Sequence, residues 1–147
     1  MSTNRRLKKQ SHSLYECKYH IVFCPKYRYK ILGEEVSGYM SFQIQQLCEQ
    51  KKGLEVLELN MQPDHVHLLL SIPPKYAVSD VVGYLKGKLA LRMFDRFPEL
   101  RKRYWGQHLW SRGYCVTTVG IDEDEIRKYV RYQDKGNQDG EQGNLFS

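Results

Sequence analysis

The sequence predicts an α+β fold in which one antiparallel sheet of four strands carries helices on one face. Strand-like and helix-like hydrophobic patterns alternate along the chain in the order β-α-β-β-α-β-α. Two neighbouring strands are joined by a tight turn, which indicates a hairpin. A chain of 147 residues without internal repeats has the size of one domain. This order is that of the ferredoxin-like (RRM-like) split βαβ fold, with one helix added at the C-terminus.

The first strand and the first helix follow from composition and spacing. Residues 14–32 are rich in β-branched and aromatic side chains, and Pro25 is expected to end the strand that they form. Residues 37–53 predict a helix, because apolar side chains recur there every three or four positions. Gly53 is expected to end this helix.

The next two elements are predicted to be a pair of strands. Residues 54–62 alternate apolar and polar side chains imperfectly, and residues 65–72 form a second apolar run. Pro63 and Asp64 stand between the two runs and are typical turn residues. The sequence therefore predicts a hairpin here.

The second half of the chain predicts two further helices and a strand. A helix is predicted over 78–97, with Ser79 as its N-cap and an apolar stripe along one side. Pro98 separates it from a short basic segment. A strand is predicted over 108–120. The last helix is predicted over 122–136, where a capping aspartate, a glutamate three residues later and a final glycine mark its two ends.

The composition indicates a folded, basic protein. The 23 Lys and Arg residues outnumber the 17 Asp and Glu residues, which gives a net charge of +6. A surface of this sign favours a polyanionic partner, most simply nucleic acid. We expect residues 1–13 to form a disordered basic arm, residues 14–136 to form the single domain and residues 137–147 to form a flexible tail.

The cysteines and the apolar stretches indicate a cytoplasmic protein. None of the four cysteines stands in C-x-x-C spacing, so the sequence lacks the usual zinc and redox motifs. No apolar region follows the basic N-terminus, and no apolar stretch approaches the roughly 20 residues that cross a bilayer. We therefore expect reduced thiols and no membrane association.

Two histidines stand one residue apart in the apolar stretch MQPDHVHLLLSI. Side chains at positions i and i+2 of a strand point to the same face, so His65 and His67 are expected to project together, away from the core. Two neutral imidazoles at this spacing can share one metal ion. The alternative is a pair of ordinary strand histidines, each satisfied by a neighbour. A pair on one face just after a tight turn favours the ligand interpretation.

Two histidines do not complete a divalent metal site, so other ligands must come from elsewhere. His108 is one candidate by its chemistry. In the last helix, Tyr129 and Gln133 lie four residues apart and therefore share one face. A glutamine carbonyl suits a hard cation, and a tyrosine one turn away could attack what the metal polarises. The alternative is a tyrosine packed on the sheet beside a solvent-exposed glutamine.

The stretch PDHVHLLL resembles the His-hydrophobe-His motif of the HUH single-strand nucleases. Four further blocks, KYHIVFCPKYRYKIL, YLKGKLA, LWSRGYCVTTVG and IRKYVRYQ, occur at positions that match the TnpA transposases of the smallest bacterial insertion sequences. The resemblance runs from about Tyr15 to Gln133. The histidine motif alone is weakly specific, whereas the ordered set of blocks at this chain length is highly specific.

The resemblance implies an enzyme that cuts and rejoins single-stranded DNA at the ends of an insertion sequence. It implies that His65, His67 and Gln133 bind a divalent metal, Mg²⁺ or Mn²⁺. It implies that Tyr129 forms a 5′-phosphotyrosine link and releases a 3′-hydroxyl. It also implies recognition of hairpins at the element ends, a bacterial or archaeal host, and a homodimer in which the helix of one subunit serves the histidines of the other.

Two residues near this constellation have competing interpretations. Asp64 adjoins the histidines and is a candidate extra ligand or a partner of a ligand, although its place after Pro63 favours a turn role. Tyr132 lies three residues from Tyr129 and is its nearest rival as the nucleophile. The spacing to Gln133 favours Tyr129.

Basic and aromatic residues interleave in CPKYRYKIL and RKRYWGQHLWSR. This mixture suits single strands and hairpins, because cations bind phosphates and rings bind unstacked bases. The candidate DNA contacts are Lys26, Arg28, Lys86, Lys88, Arg92 and Arg112. For each of them taken singly, a solvated surface charge is an equally good interpretation.

Other functions fit the sequence less well. A domesticated, repeat-associated HUH tyrosine transposase is the nearest alternative and would use the same chemistry. A non-catalytic ferredoxin-like nucleic-acid-binding domain would need neither the two histidines nor the tyrosine–glutamine pair. A histidine-triad hydrolase requires a third histidine where Leu69 stands. HUH replication initiators and relaxases share the motif but are typically larger.

Overall fold

The computed structural model describes residues 8–10, 13–15, 17–104, 106, 108–119 and 131. The strands are β1 (Lys8–Gln10), β2 (Ser13–Tyr15), β3 (Lys18–Phe23), β4 (Glu55–Gln62), β5 (His65–Ser71) and β6 (Cys115–Thr118). The helices are α1 (Glu34–Glu49), α2 (Val78–Arg96) and α3 (Pro98–Arg103), and a 3₁₀ turn covers Lys26–Arg28.

Four of these strands form one antiparallel sheet in the order β4-β5-β3-β6. Strands β3 and β4, which precede and follow α1 in the chain, both pair antiparallel with β5 and so run parallel to each other. This is the split βαβ arrangement. The predicted α+β fold of ferredoxin-like type is therefore confirmed for the described strands.

The main core lies between the two long helices and one face of the sheet. The apolar stripe predicted along α2 is buried there, as are the apolar residues of α1 that recur at helical spacing. Alternation along β5 buries Val66, Leu68 and Leu70 completely on this face. A second, smaller buried cluster of Val22, Cys24 and Cys115 lies on the other face. That other face also carries the two motif histidines.

Helix α1 begins three residues earlier than the spacing predicts and ends before the predicted stop. Glu34 and Glu35 occupy its first turn, where carboxylates interact favourably with the helix dipole. Gly53 lies beyond the helix with a φ of 90°, and a Cβ on it would come within 2.7 Å of the Pro73 ring. Glycine at this position therefore serves the turn into β4 rather than the end of the helix.

Two predicted boundaries in the second half are wrong. Helix α2 is preceded by Ala77 as its N-cap without a side-chain cap, so Ser79 lies inside the first turn. The strand predicted over 108–120 is limited to β6, because Trp110 makes only an isolated bridge to Pro25 and Gly113 takes a φ of 76°. The basic segment after Pro98 forms the short helix α3, since proline is well suited to a first helical turn.

The N-terminal residues also differ from expectation. Strands β1 and β2 pair antiparallel in a two-stranded sheet, so the predicted disordered arm is wrong at Lys8–Gln10. The helix predicted over 122–136, of which only Arg131 is described, and the tail over 137–147 lie outside the described residues. No helix in the described part of the chain is long and apolar enough to span a membrane.

Candidate active site on the sheet

Strand β5 brings His65 and His67 to the same face of the sheet, as the motif predicts. The three residues that alternate with them are completely buried in the main core, whereas both histidines are half-buried. The tight turn at Pro63 and Asp64 places His65 at the first position of the strand. The two imidazoles therefore project from a strand that is paired on both sides, on the face of the sheet away from the helices.

The ring of His65 is oriented by the residue before it. Its Nδ1 lies 3.0 Å from Oδ1 of Asp64, so the Nδ1–H donates to the carboxylate. This arrangement leaves the lone pair of Nε2 for another partner. A carboxylate that fixes a histidine tautomer in this way commonly accompanies metal-binding histidines. Asp64 is therefore both a residue of the turn and the hydrogen-bond partner of the candidate ligand His65.

Arg28 reaches the same carboxylate from the 3₁₀ turn, where its Nη2 donates to Oδ2 of Asp64. Arg28 is only 7% exposed, so the protein rather than solvent balances its charge. Burial alone would raise the pKa of Asp64, but the hydrogen bond from His65 and the charge of Arg28 outweigh it and lower that pKa. Asp64 is therefore ionised at neutral pH.

A third histidine, which the motif does not contain, lies beside the pair. His20 is on β3, the strand next to β5, and its Nδ1 lies 3.3 Å from Nε2 of His67. One ring donates and the other accepts, so His20 restrains the orientation of the His67 ring. The only sequence signal for His20 is its place in the strand predicted over 14–32.

The described residues include two donors that the predicted metal site requires. Two imidazoles on one face, one of them held by a carboxylate, are a donor set that suits a divalent ion. No group of three His, Cys, Asp or Glu side chains in the described ranges is arranged to hold a metal, and His108 is exposed. Tyr129, Tyr132 and Gln133 lie outside the described residues.

The structure divides the predicted DNA contacts into two groups. Arg28 is occupied by Asp64, and Arg92 donates to Oε1 of Gln43 at 2.6 Å. The ammonium of Lys86 donates to the carbonyls of Ser111 and Gly113, at 3.0 and 2.9 Å. These three cations have structural partners. The other three predicted contacts are exposed or half-exposed and have no such carboxylate, amide or carbonyl contact within the described region: Lys26, Lys88 and Arg112.

Comparison with known proteins gives the family. Residues 13–133 match the family model described as Transposase IS200 like. The chain is 41% identical over 135 residues to the transposase for insertion sequence element IS200 of Salmonella typhimurium, covering 92% of this chain and 88% of that protein. It is 40% identical over 128 residues to the ISDra2 transposase TnpA of Deinococcus radiodurans, covering 86% of this chain and 91% of that protein.

Two solved structures are similar to this one. A crystal structure described as that of a transposase from Deinococcus radiodurans has a TM-score of 0.79 and 38% identity, covering 86% of this chain and 97% of that chain. A REP-associated tyrosine transposase bound to a REP hairpin has a TM-score of 0.53 and 12% identity, covering 90% of this chain and 75% of that chain, and so shares the fold. From the family match and the two relatives, the chain belongs to the IS200-like transposases, enzymes that act on DNA.

Proposed function

We propose that this transposase cuts and rejoins single-stranded DNA at the ends of an insertion sequence through a covalent 5′-phosphotyrosine link to Tyr129. The observation that carries the proposal is the orientation of the motif histidines. His65 and His67 share one face, and Asp64 holds the His65 ring so that Nε2 is available. An ordinary pair of strand histidines would not need a carboxylate that is itself paired with a buried guanidinium.

His65, His67 and Gln133 are the residues that would hold a divalent ion, Mg²⁺ or Mn²⁺. When bound, such an ion would supply Lewis-acid stabilisation of the charge that develops on the scissile phosphate. The role of the chain is to present neutral imidazole nitrogens in a fixed direction. Asp64 does this for His65 through its contact with Nδ1, and His20 restrains the His67 ring through a contact with Nε2.

The phenol oxygen of Tyr129 attacks the phosphorus of one phosphodiester in the strand. A bond from that oxygen to phosphorus forms, the bond from phosphorus to the 3′-oxygen breaks, and the strand leaves with a 3′-hydroxyl. Free tyrosine has a pKa of about 10, so its proton must leave during the attack. The phosphotyrosine retains the energy of the broken bond, and a 3′-hydroxyl can therefore reverse the step without ATP.

The substrate is a strand that carries a hairpin near the element end, and the working unit is a homodimer. In that dimer the helix with Tyr129 from one subunit serves His65 and His67 of the other. The REP-associated tyrosine transposase, which shares this fold, was solved bound to a REP hairpin. A domesticated enzyme acting on genomic repeat hairpins would use the same residues, and it remains the nearest alternative.

A denaturing gel tests the proposal directly. The protein is incubated with end-labelled single-stranded hairpin DNA and Mg²⁺, and a covalent protein–DNA band is expected. Tyr129→Phe should abolish that band and leave hairpin binding in a native gel unchanged, whereas the matched variant Tyr132→Phe should keep it. A domain that only binds nucleic acid would give a native complex and no denaturing band. A band that survives Tyr129→Phe would assign the nucleophile elsewhere.

A further inference from the structure

The turn between β3 and α1 has a backbone conformation that its residues do not favour. Tyr27 and Arg28 both take left-handed conformations, with φ of 63° and 50°. A non-glycine residue in this region costs about 1 kcal/mol or more, and such strain concentrates at functional sites. Backbone hydrogen bonds hold the turn in place, from Lys26 N–H to the Leu109 carbonyl at 2.7 Å and from Arg28 N–H to the Pro25 carbonyl at 2.9 Å.

The two strained residues send their side chains to different environments. Arg28 is buried and pairs with Asp64, the carboxylate that orients His65. The side chain of Tyr27 is 46% exposed, which makes it one of the few large apolar rings on the described surface. The ion pair of Arg28 therefore joins the turn that carries Tyr27 to the carboxylate that contacts His65.

Tyr27 is the outer member of a row of three tyrosines. Its ring centroid lies 5.3 Å from that of Tyr29, and the Tyr29 ring lies 5.5 Å from that of Tyr104, which is almost completely buried. The row extends from the buried Tyr104 to the exposed Tyr27, and packing on Tyr29 restrains the outer ring. The Tyr27 ring is therefore presented at little further cost in conformational entropy on binding.

Two cations accompany the row. The Lys26 ammonium lies 5.3 Å from the Tyr27 ring centroid, and the Arg103 guanidinium lies 4.6 Å from the Tyr29 ring centroid. Both Tyr27 and Arg103 are exposed. A half-exposed ring with a cation over it offers both chemistries that a single strand requires, since bases stack on rings and phosphates pair with cations.

We propose that Tyr27 is a stacking platform for an unpaired base of the DNA strand that passes the histidine pair. This inference rests on the proposed single-strand function and adds to it a base-binding residue outside the metal and nucleophile set. A ring accepts any base, because every base has a π-face, so the platform binds without selecting a sequence. The ion pair of Arg28 with Asp64 links the turn that carries this platform to the residue that contacts His65.

The test compares strands with and without bases. The two probes are an oligothymidylate of about 20 nucleotides and an abasic strand with the same number of phosphates. Asparagine tolerates the left-handed region, so Tyr27→Asn removes the ring without adding backbone strain. Tyr27→Phe keeps the ring. Phe42→Asn is the control, because it removes a ring on α1 that is 56% exposed and lies outside the tyrosine row.

Affinities are measured by fluorescence anisotropy, with circular dichroism to compare the folded states. Tyr27→Asn should bind the oligothymidylate at least about fivefold more weakly than the wild type and bind the abasic strand almost equally well. Tyr27→Phe and Phe42→Asn should bind both probes like the wild type. An unchanged affinity of Tyr27→Asn for the oligothymidylate, or an equal loss for both probes, would overturn the platform.

The covalent gel separates this inference from the function on which it rests. If Tyr27→Asn keeps both its affinity and the covalent band, the platform is wrong and the proposed function stands. If the wild type neither binds the oligothymidylate nor forms a covalent band with hairpin DNA, the proposed function and the platform fail together.

Discussion

At the scale of single residues, the Asp64 carboxylate links a structural ion pair to a candidate metal ligand. It accepts from the buried Arg28 guanidinium with one oxygen and from His65 with the other. Removing its charge should therefore have two effects at once. Arg28 would lose its counter-ion in a buried position, and the His65 ring would lose the partner that fixes its tautomer.

For Asp64→Asn we expect the Mg²⁺ concentration that gives half-maximal covalent product to rise by about 10- to 100-fold. We also expect the free energy of unfolding to fall by about 3 kcal/mol, since the variant leaves a buried charge unpaired. Mg²⁺ titrations of the covalent band and urea denaturation measure the two effects. Asp95→Asn, at an exposed carboxylate on α2, should change neither quantity. If Asp64→Asn required the same Mg²⁺ concentration as the wild type for half-maximal product, Asp64 would not be the residue that orients His65 for a metal ion.

At the scale of elements, the sequence predicts both the position of β5 and the face to which each of its side chains points, because a period of two fixes which side chains enter the core. His65 and His67 on one face follow from that pattern alone. The contact of His20 with His67 does not, since it depends on the register between β3 and β5, which is set across 47 residues of chain. The same holds for the Arg28–Asp64 pair, and Arg28 was expected to be a DNA contact.

One lysine connects helix α2 to the segment before β6 through hydrogen bonds. The sequence pattern does not predict these hydrogen bonds either. Lys86 has the appearance of a surface cation in YLKGKLA, whereas its Nζ donates to the carbonyls of Ser111 and Gly113. The indole N–H of Trp110 donates to the Lys86 carbonyl at 2.9 Å, which strengthens the same junction. Long-range contacts of this kind determine which lysine ammonium groups have protein partners and which are available to bind DNA phosphates.

The burial of Lys86 makes the folding stability depend on pH in a predictable direction. Burial lowers the pKa of Lys86 from 10.5 to about 8 in the folded protein. Between these values the unfolded chain binds more protons than the folded chain, so stability contributed by this group rises with pH. The neutral amine still has hydrogens for both carbonyls. Wild type should therefore gain stability relative to Lys86→Met between about pH 7 and pH 9, by no more than about 1 kcal/mol because solvent screens a partly buried group.

Urea denaturation of the two proteins at both pH values measures this difference. Lys88→Met is the matched control, because Lys88 is exposed on the same helix and should show no such pH-dependent difference. A stability of the wild type that falls relative to Lys86→Met over this range would contradict the lowered pKa.

At the scale of the whole molecule, the net charge of +6 should make single-strand binding strongly dependent on salt. Each phosphate contact adds about 0.7 to the slope of log affinity against log salt for a single strand. Lys88→Gln and Arg112→Gln should each reduce that slope by about 0.7, because both side chains are exposed. Lys86→Met should leave the slope unchanged. Salt titrations followed by anisotropy measure the slope. A reduced slope for Lys86→Met would contradict the interpretation that Lys86 is held by protein carbonyls and does not contact DNA.

The charge balance around the histidines also predicts how the metal and the DNA depend on each other. The proposed ligands His65, His67 and Gln133 would be neutral donors, and Arg28 offsets the charge of Asp64. The free protein therefore offers a divalent ion no net negative charge, whereas a DNA phosphate would add one at contact distance. We expect weak Mg²⁺ and Mn²⁺ binding to the protein alone and an affinity at least about tenfold higher with hairpin DNA present.

Calorimetry of the Tyr129→Phe protein measures this coupling without cleavage of the strand. Mn²⁺ is titrated into the protein alone, into the hairpin alone and into their complex. By linkage, the metal must strengthen DNA binding by the same factor as the DNA strengthens metal binding, which gives a second, independent measurement. Replacing both His65 and His67 with alanine should abolish the coupling and leave the affinity for DNA without metal unchanged. Tight Mn²⁺ binding to the free protein would mean that further anionic ligands surround the histidines, and that the phosphate is not the group that completes the site.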